Sequence, residues 1–401
     1  MAGGPGSYVL GAEERKEVLD VLDSGYLFRY GSEDNPRFMH KVATFEKEFA
    51  EMMGTKYCVA TSSGTGSILC CLAALGIGAG DEVIVPGYTF IASISSIVLS
   101  GATPILAEID ESLTIDPNDI EKRITSRTKA IMPVHMLGNP CDMDKIMAIA
   151  KKYKLAVIED CCQAVGAMYK GKRVGSMGDI AAYSLNVFKT ITSGDGGAVA
   201  TNDYDLYEHA FGFHDQGHKP SRMGVEVGNR SIIGMNMRMN ELTGAISLAQ
   251  LRKLPMILDT LRAKKSKLKA GLANIKGLSF RKLGDEDGEC ATLLTLLLPD
   301  KATADKFGEK IGSKTIAHSG WHVYNNMEQV LALKYEYDGK VITYEKGMLP
   351  QTDDILNRAM NISVGVVDKG LGSAFGININ STDEEIAAVA ANLKSILAEV
   401  L

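Results

Sequence analysis

Two features that mark membrane proteins and nucleic-acid-binding proteins are missing from the 401-residue sequence. A membrane-spanning helix needs about 18 or more consecutive apolar residues, and no stretch reaches that length, so we expect no membrane partner. The net charge is −6 and no long basic run occurs, so nucleic acid is not an expected partner. The glycine-rich start, residues 1–6, lacks the charged and then apolar segments of a secretory signal.

Cysteine pairs of the C-x-x-C type, which are typical of zinc and iron–sulfur sites, are also missing. The seven cysteines are Cys58, Cys70, Cys71, Cys141, Cys161, Cys162 and Cys290. The adjacent pairs fall in or beside apolar runs, so we expect buried thiols and no metal site. An odd number of buried cysteines predicts free thiols and a reducing, cytoplasmic location.

Short apolar strands that alternate with helices are the main feature that the sequence does contain. The predicted strands are 57–60, 82–86, 103–109, 128–134, 155–160, 180–185 and 197–201. Continuous apolar strands of this kind form a mostly parallel central sheet covered by helices, which is an α/β fold. Ligands of such sheets bind at the carboxyl ends of the strands, and the polar turns of this sequence fall there.

The length of the chain predicts two domains. The alternating pattern and an N-terminal helical segment predict a large domain over residues 1–255. A strong helical pattern begins at Asn240, and Pro255 is predicted to interrupt it. Beyond that point the pattern changes, and we place a smaller C-terminal α/β domain at residues 256–401.

Lys189 is the most informative single residue, because it stands alone between a predicted strand and a turn with three glycines in four positions, 194–197. Taken alone, a lysine after a strand is a solvated loop residue more often than not. The alternative is a partly buried amine with a lowered pKa, which is suited to forming a Schiff base.

Small polar residues near two other strand ends predict a phosphate site. The turn 61–66 follows a strand and opens a helix, so its backbone N–H groups and hydroxyls face the positive end of a helix dipole. Ser63, Gly64 and Thr65 belong to this turn, and Ser184 ends another strand. A simple helix cap is the alternative explanation of the turn.

Three further residues predict a planar, protonated ring above these strand ends. Asp160 ends an apolar strand, where its carboxylate suits pairing with a ring N–H, although a helix cap is also open. Gln163 lies three residues later, and Phe90 stands in a strand-end loop, where it would either stack on the ring or join the core. A phosphate cradle, a stacking ring, a carboxylate and a lysine are the groups that pyridoxal phosphate requires. Lys189 would then transfer a proton, as transamination needs.

The same residues resemble those of the DegT/DnrJ/EryC1/StrS family of sugar aminotransferases, whose fold is pyridoxal-phosphate fold type I. The resemblance covers about residues 10–255 and is weaker beyond. It is carried by Ser63-Gly64-Thr65, the stretch 76–86, Thr89-Phe90, Glu159-Asp160 with Gln163-Ala164, Ser184…Lys189…Gly194-Asp195-Gly196-Gly197, and the stretch 234–239.

The resemblance implies a role for each matched residue. Lys189 is implied to be the Schiff-base lysine, Asp160 to pair with the pyridine nitrogen, and Gln163 to contact the ring hydroxyl. Phe90 is implied to stack on the ring, and Ser63, Gly64, Thr65 and Ser184 to hold the phosphate. Asn236 is expected to reach the phosphate of a neighbouring subunit, which implies a homodimer with shared sites. The family usually has Glu where this chain has Asp195, and we expect little effect.

The amino acceptor is predicted from segments outside these motifs. Within the family, the loops resemble those of members that use glutamate to aminate the C8 aldehyde of 3-deoxy-manno-octulosonate for lipopolysaccharide. Candidate substrate residues, several of them cationic anchors for carboxylates, are Arg29, Tyr30, His135, His214, His218, Lys219, Arg222, Trp321, Tyr324 and Arg358.

Two alternatives stay open at this point. A nucleotide-linked ketosugar or a cyclitol is another possible acceptor, because the segment 364–376 departs from the octulosonate-aminating members. A non-catalytic regulatory or binding protein with the same fold is a function of another class. The presence of both Lys189 and Asp160 favours an enzyme over that second class.

Overall fold

The computed structural model describes residues 3–32, 34–220, 228–337 and 339–401. Its strands are β1 (Tyr57–Thr61), β2 (Glu82–Pro86), β3 (Thr103–Ala107), β4 (Thr128–Ile131), β5 (Ala156–Asp160), β6 (Met168–Tyr169), β7 (Lys172–Arg173), β8 (Ile180–Ser184), β9 (Gly197–Thr201), β10 (Ser279–Phe280), β11 (Leu293–Leu297), β12 (Lys334–Tyr337), β13 (Lys340–Thr343) and β14 (Ala359–Ser363). The predicted strands 103–109 and 128–134 are therefore shorter than expected.

The helices surround the sheets. They are α1 (Pro5–Tyr8), α2 (Ala12–Ser24), α3 (Lys41–Met53), α4 (Gly64–Ala74), α5 (Ile91–Leu99), α6 (Pro117–Arg123), α7 (Met143–Tyr153), α8 (Tyr204–His214), α9 (Glu241–Gly271), α10 (Lys301–Lys310), α11 (Glu328–Leu331), α12 (Pro350–Arg358) and α13 (Asp383–Val400). Short 3-10 turns occupy Met136–Gly138, Ile316–His318, Tyr324–Asn326 and Lys369–Leu371. In the described ranges, no helix combines the length and apolar character needed to cross a membrane.

A seven-stranded sheet with the order β1-β9-β8-β5-β4-β2-β3 forms the centre of the molecule. Its strands run parallel except β9, which is antiparallel to both β8 and β1. The mostly parallel sheet is confirmed, but the reversed strand was not predicted. Strand β9 reverses because the segment 185–196 joins it to β8 without a crossover helix, and parallel neighbours need such a crossover.

The C-terminal part contains a second sheet of three antiparallel strands in the order β10-β11-β14. The interruption predicted at Pro255 is wrong, since helix α9 runs from Glu241 to Gly271 with Pro255 inside it. One buried hydrophobic cluster includes Phe45, Leu248, Leu294 and Leu393, and so draws on both sides of position 255. The division into domains 1–255 and 256–401 stays a prediction.

The N-terminal glycines pack against the loop that carries Lys189. The Gly4 N–H donates to the Val187 carbonyl over 2.9 Å, and the Ser7 hydroxyl donates to the same oxygen over 2.9 Å. A Cβ on Gly4 would lie 2.4 Å from the Lys189 carbonyl oxygen, so only glycine fits this approach. Gly3 also forms an antiparallel bridge with Val367. The N-terminal segment therefore joins the lysine loop to the C-terminal segment that follows β14.

The seven cysteines are free, as the sequence predicts, and all but Cys162 are buried.

Candidate active site

A cavity of about 510 Å³ opens where the parallel strands present their carboxyl ends. Its lining comes from the turn after β1, the loop after β2, the end of β5 and the loop between β8 and β9. The facing wall comes from residues near positions 292, 321 and 368. The volume suits a small ligand, and the position is the one expected for ligands of such sheets.

Lys189 projects from the loop after β8 into this cavity. Its backbone N–H donates to the Asn186 carbonyl over 2.9 Å, and the Asn186 amide group donates to Asp195 over 3.0 Å, which closes the loop. The Nζ atom lies 5.9 Å from the centre of the Phe90 ring. Burial lowers the pKa of Lys189, while nearby Cys162, Asp160 and Asp368 act in the opposite direction. The amine is thus neutral at lower pH than a solvated lysine, as a nucleophile needs.

Asp160 ends β5 and faces the same cavity. One carboxylate oxygen accepts from the Ser93 hydroxyl over 2.7 Å, and the other accepts from the Cys162 backbone N–H over 3.0 Å. The Ser93 hydroxyl also lies 2.7 Å from that of Thr89. These two donors, one on each oxygen, hold the carboxylate group of Asp160 in a fixed orientation.

The predicted phosphate turn forms the start of helix α4. The Ser63 hydroxyl caps this helix by accepting from the Gly66 N–H over 3.0 Å. A Cβ on Gly64 would lie 2.6 Å from the Ser184 Cβ, so glycine permits Ser184 to approach the helix start. In the part of the chain that the structure describes, the N–H groups of Gly64 and Thr65 have no protein acceptor. These donors and the Ser184 hydroxyl can receive an anion at the positive end of the helix dipole.

Phe90 and Gln163 also line the cavity. The Leu137 N–H donates to the side-chain oxygen of Gln163 over 3.0 Å, which leaves the amide N–H groups of Gln163 available as donors. Leu137 adopts a left-handed backbone conformation with φ 55°, which is uncommon for leucine. Apart from Asn236, the residues predicted to bind the cofactor therefore line one cavity.

The opposite wall carries Trp321, His322 and Asp368. The Trp321 ring lies 6.5 Å from that of Phe90 at an angle of 28°, and the His322 ring lies 5.3 Å from Phe90. Burial and the positive charge of Lys189 lower the pKa of His322 to about 3, so this imidazole is neutral near pH 7. Of the predicted substrate residues, Trp321 is the one among the described residues that lines the cavity.

Arg29, Tyr30 and His214 instead form a buried network beside strand β1. Arg29 pairs with both carboxylate oxygens of Glu46, at 2.8 and 2.9 Å, and lies 3.1 Å from His214 Nε2. Tyr30 donates to Asp215 over 2.7 Å. Burial and the charge of Arg29 lower the pKa of His214 to about 3. Arg29 and His214 therefore bond to each other, and Arg29 also bonds to Glu46, so neither side chain lines the cavity.

His135 lies behind the cavity, against the carboxylate that precedes Asp160. Its Nδ1 accepts from the Cys141 N–H, so its Nε2 carries hydrogen and donates to Glu159 over 3.0 Å. Burial alone would raise the pKa of Glu159, but hydrogen bonds from His135 and the backbone N–H groups of Gly178 and Gly175 lower it. Potential ligand atoms of His135, Glu159 and Cys161 lie within 4.8 Å of one another. Those of His135 and Glu159 already make hydrogen bonds.

The remaining predicted substrate residues lie away from the cavity. Tyr324 is buried and donates to Asp353 over 3.1 Å, while Arg358 pairs with Asp354 and Glu111. Lys219 pairs with Glu208 over 3.1 Å, and His218 forms a backbone bridge with Arg230. Arg222 lies outside the described residues.

Asn236, predicted to reach a neighbouring subunit, is exposed and does not line this chain's own cavity. It precedes Met237, whose carbonyl accepts from the Ser62 N–H over 2.8 Å. The segment that presents Asn236 is thus held against the phosphate turn.

The sequence analysis assigned no role to several residues that line the cavity: Thr89, Ser93, Cys162, Asn186, His322 and Asp368. A signal existed for Ser93, because it follows Phe90 by three residues at the start of a helix and so shares its face. For Asp368 there was no signal beyond its place in the divergent glycine-rich segment.

Comparison with known proteins identifies a family for this site. Residues 9–367 match the profile of the DegT/DnrJ/EryC1/StrS aminotransferase family. GDP-perosamine synthase of Caulobacter vibrioides is 43% identical over 61% of this chain, and the match spans 63% of that relative. The structure of an aminotransferase from Psychrobacter cryohalolentis has a TM-score of 0.81 at 30% identity, with 98% of each chain covered. The structure of NtdA from Bacillus subtilis with bound cofactor PMP has a TM-score of 0.76 at 26% identity, covering 97% of this chain and 83% of that one.

Pyridoxal phosphate is the cofactor of this family, and the cavity fits it. The open N–H groups at the start of α4, together with Ser184, match a phosphate. Asp160 matches a protonated ring nitrogen, and Lys189 matches the aldehyde. The space that a Cβ on Gly64 would fill lies at the phosphate end.

Proposed function

The chain belongs to the DegT/DnrJ/EryC1/StrS aminotransferase family, and we propose that it is a pyridoxal-phosphate-dependent sugar aminotransferase. In this proposal an amino group moves from glutamate to a keto- or aldehydo-sugar. The observation that carries the proposal is the position of Lys189, a lysine with a lowered pKa in the same cavity as Asp160 and a helix-start phosphate turn. The sugar as acceptor is supported by GDP-perosamine synthase among the relatives.

Each group of cavity residues has a separate role in the proposed transamination. When bound, pyridoxal phosphate supplies an electron sink that acidifies the C–H bond beside the transferred nitrogen. Asp160, held by Ser93 and Cys162, would keep a proton on the ring nitrogen. Lys189 Nζ, as a neutral amine, would accept the acidified proton and return it to the carbon on the other side of the transferred nitrogen. The N–H groups of Gly64 and Thr65 and the Ser184 hydroxyl would bind the phosphate.

For the acceptor, we propose the C8 aldehyde of 3-deoxy-manno-octulosonate, which would give an 8-amino sugar for lipopolysaccharide. Support comes from the segments 134–136 and 189–192, which resemble those of octulosonate-aminating members and contribute Val134, Lys189 and Thr190 to the cavity lining. The alternative is a nucleotide-linked ketosugar, which the name of the Caulobacter relative favours. The cationic anchors expected for the octulosonate carboxylate do not help to decide, because Arg29 and Arg358 are paired elsewhere.

We further propose a cytoplasmic homodimer in which Asn236 reaches the partner's phosphate site. Free buried cysteines support a reducing compartment, and the exposure of Asn236 supports a role outside its own cavity. Sedimentation of the purified protein together with the cofactor affinity of Asn236→Ala would test this arrangement.

The experiment that tests the function uses two half-reactions. Protein loaded with pyridoxal phosphate should lose its visible absorbance band when glutamate is added, and an acceptor sugar should restore it. Restoration by the octulosonate C8 aldehyde supports our first acceptor, and restoration by a nucleotide-linked ketosugar alone would replace it. A protein that binds no cofactor, or whose band ignores glutamate, would refute the aminotransferase proposal.

A further inference from the structure

The wall of the cavity that faces Lys189 is formed by a segment bound to the Phe90 loop. The Thr89 N–H donates to the His322 carbonyl over 3.0 Å, and the Ile91 N–H donates to the Trp321 carbonyl over 2.9 Å. Tyr88 and Val323 form a further bridge. These backbone bonds hold Trp321 and His322 beside Phe90, so the aromatic wall is a built surface.

Trp321 is unusually exposed for its size, with 61% of its surface open, although one edge stacks on Phe90. It is also the single tryptophan of the chain. A large, rigid ring of this kind offers an apolar face beside a polar N–H group, and both remain available to a ligand in the cavity. The C–H face of a sugar and one of its hydroxyls match that combination.

Asp368 adds a carboxylate beside the tryptophan. One of its oxygens accepts from the Gly370 N–H over 2.7 Å, and a Cβ on Gly370 would lie 3.7 Å from the Trp321 ring. A carboxylate has more acceptor positions than this single bond uses, so Asp368 can also accept from ligand hydroxyls.

The charges around this wall are negative or absent. Among the cavity-lining residues that the structure describes, Lys189 is the one cation, while Asp160, Asp195 and Asp368 are acidic. His322 is neutral near pH 7. A carboxylate or phosphate placed against Trp321 would therefore meet Asp368 with no opposing charge on this wall.

We propose that Trp321, His322 and Asp368 form the acceptor subsite, and that it binds the uncharged, hydroxyl-bearing carbons next to the reacting carbonyl. Any charged group of the acceptor, such as a carboxylate or a diphosphate, lies beyond this subsite. This inference rests on the proposed function, because it presumes a sugar acceptor. It assigns two further residues, His322 and Asp368, to acceptor binding. It also defines the part of the acceptor that they bind as uncharged and hydroxyl-bearing.

The test uses an uncharged sugar with a terminal aldehyde, D-galacto-hexodialdose, as the acceptor of the glutamate-treated holoenzyme. Trp321→Ala should raise the KM for this sugar about tenfold, roughly the value of one lost aromatic contact. Asp368→Asn should raise the same KM several-fold. In both variants the KM for glutamate should change much less than the KM for the sugar, since glutamate carries no hydroxyl-bearing carbons for this subsite to bind. The matched control is Tyr153→Ala, which removes an exposed ring at the end of α7, far from the strand ends that form the cavity.

The single tryptophan supplies a readout that does not depend on turnover. The amine product, 6-amino-6-deoxy-D-galactose, should change the fluorescence of Trp321 in a saturable way, and Asp368→Asn should weaken that saturation. If the wild type uses the sugar while both variants keep its KM, the subsite proposal is overturned and the aminotransferase stands. If glutamate bleaches the wild type and no sugar restores the band, the sugar acceptor itself fails, and the subsite proposal falls with it.

Discussion

The two walls of the cavity are built differently. The wall at the strand ends is buried and internally bonded: Asp160 accepts from two groups, Ser63 caps a helix, and the Lys189 loop is closed by its own hydrogen bonds. The facing wall, with Trp321 and Asp368, is more open, and its side chains keep unused faces and acceptor positions. We conclude that the first wall is organised for one fixed cofactor, whereas the second can change with the acceptor at little cost to the fold.

The largest effect is expected from the removal of the Lys189 side chain, at the centre of the first wall. Lys189→Ala should reduce transamination at least about 10³-fold, because no other described lysine lines the cavity to move the proton. The visible absorbance of lysine-bound cofactor should also disappear. The control, Lys152→Ala, removes a lysine with a 62% exposed side chain. A Lys189→Ala protein that keeps the absorbance band would contradict the assignment.

The N-terminal segment packs against the loop that carries Lys189, and a substitution at Gly4 tests this contact. Gly4→Ala places a Cβ 2.4 Å from the Lys189 carbonyl oxygen, so either the N-terminal segment or the loop must move. We expect a loss of about 1–3 kcal/mol in the free energy of unfolding, as for other overpacked sites, and weaker cofactor binding. Chemical denaturation and cofactor titration would measure both.

Gly78→Ala is a suitable control for that prediction, because its Cβ would make an ordinary contact of 3.5 Å. If Gly4→Ala and Gly78→Ala unfold alike, the N-terminal segment does not brace the loop.

A smaller effect is expected at Ser93, which orients Asp160. Ser93→Ala removes a hydroxyl that donates to the carboxylate over 2.7 Å, worth about 1–3 kcal/mol for a bond to a charged group. The kcat should fall while the KM for glutamate changes little, since the hydroxyl acts through Asp160. Ser95→Ala, on the same helix but bonded to the Ala92 carbonyl, is the control. Equal kcat values in the two variants would mean that Ser93 does not orient Asp160.

The difference between the walls also explains which residues of the site could be predicted from the sequence. Strand-end motifs are local, so Asp160, Ser184 and the turn 61–66 could be assigned from order and spacing, and the structure brings them together. The position of Arg29 outside the cavity could not be predicted, because its partners Glu46 and His214 become neighbours only through tertiary packing. Asp368 was missed for a related reason. Its loop reaches the cavity through the pairing of β14 with β11, which no local pattern reveals.

The two walls are coupled through the charges of Lys189 and Asp368. Burial lowers the pKa of Lys189, while the negative charge of Asp368 raises it. Replacing Asp368 with Asn removes a stabilising charge from the ammonium form, so the pKa should fall further. The rate at which the cofactor-free protein captures pyridoxal phosphate should rise with pH as the neutral amine forms. Its midpoint should lie below the ordinary lysine value, and lower again in Asp368→Asn. Lys369→Ala, which changes a neighbouring exposed side chain, serves as the control. An unchanged midpoint in Asp368→Asn would mean that the carboxylate does not act on Lys189, and the two walls would then function independently.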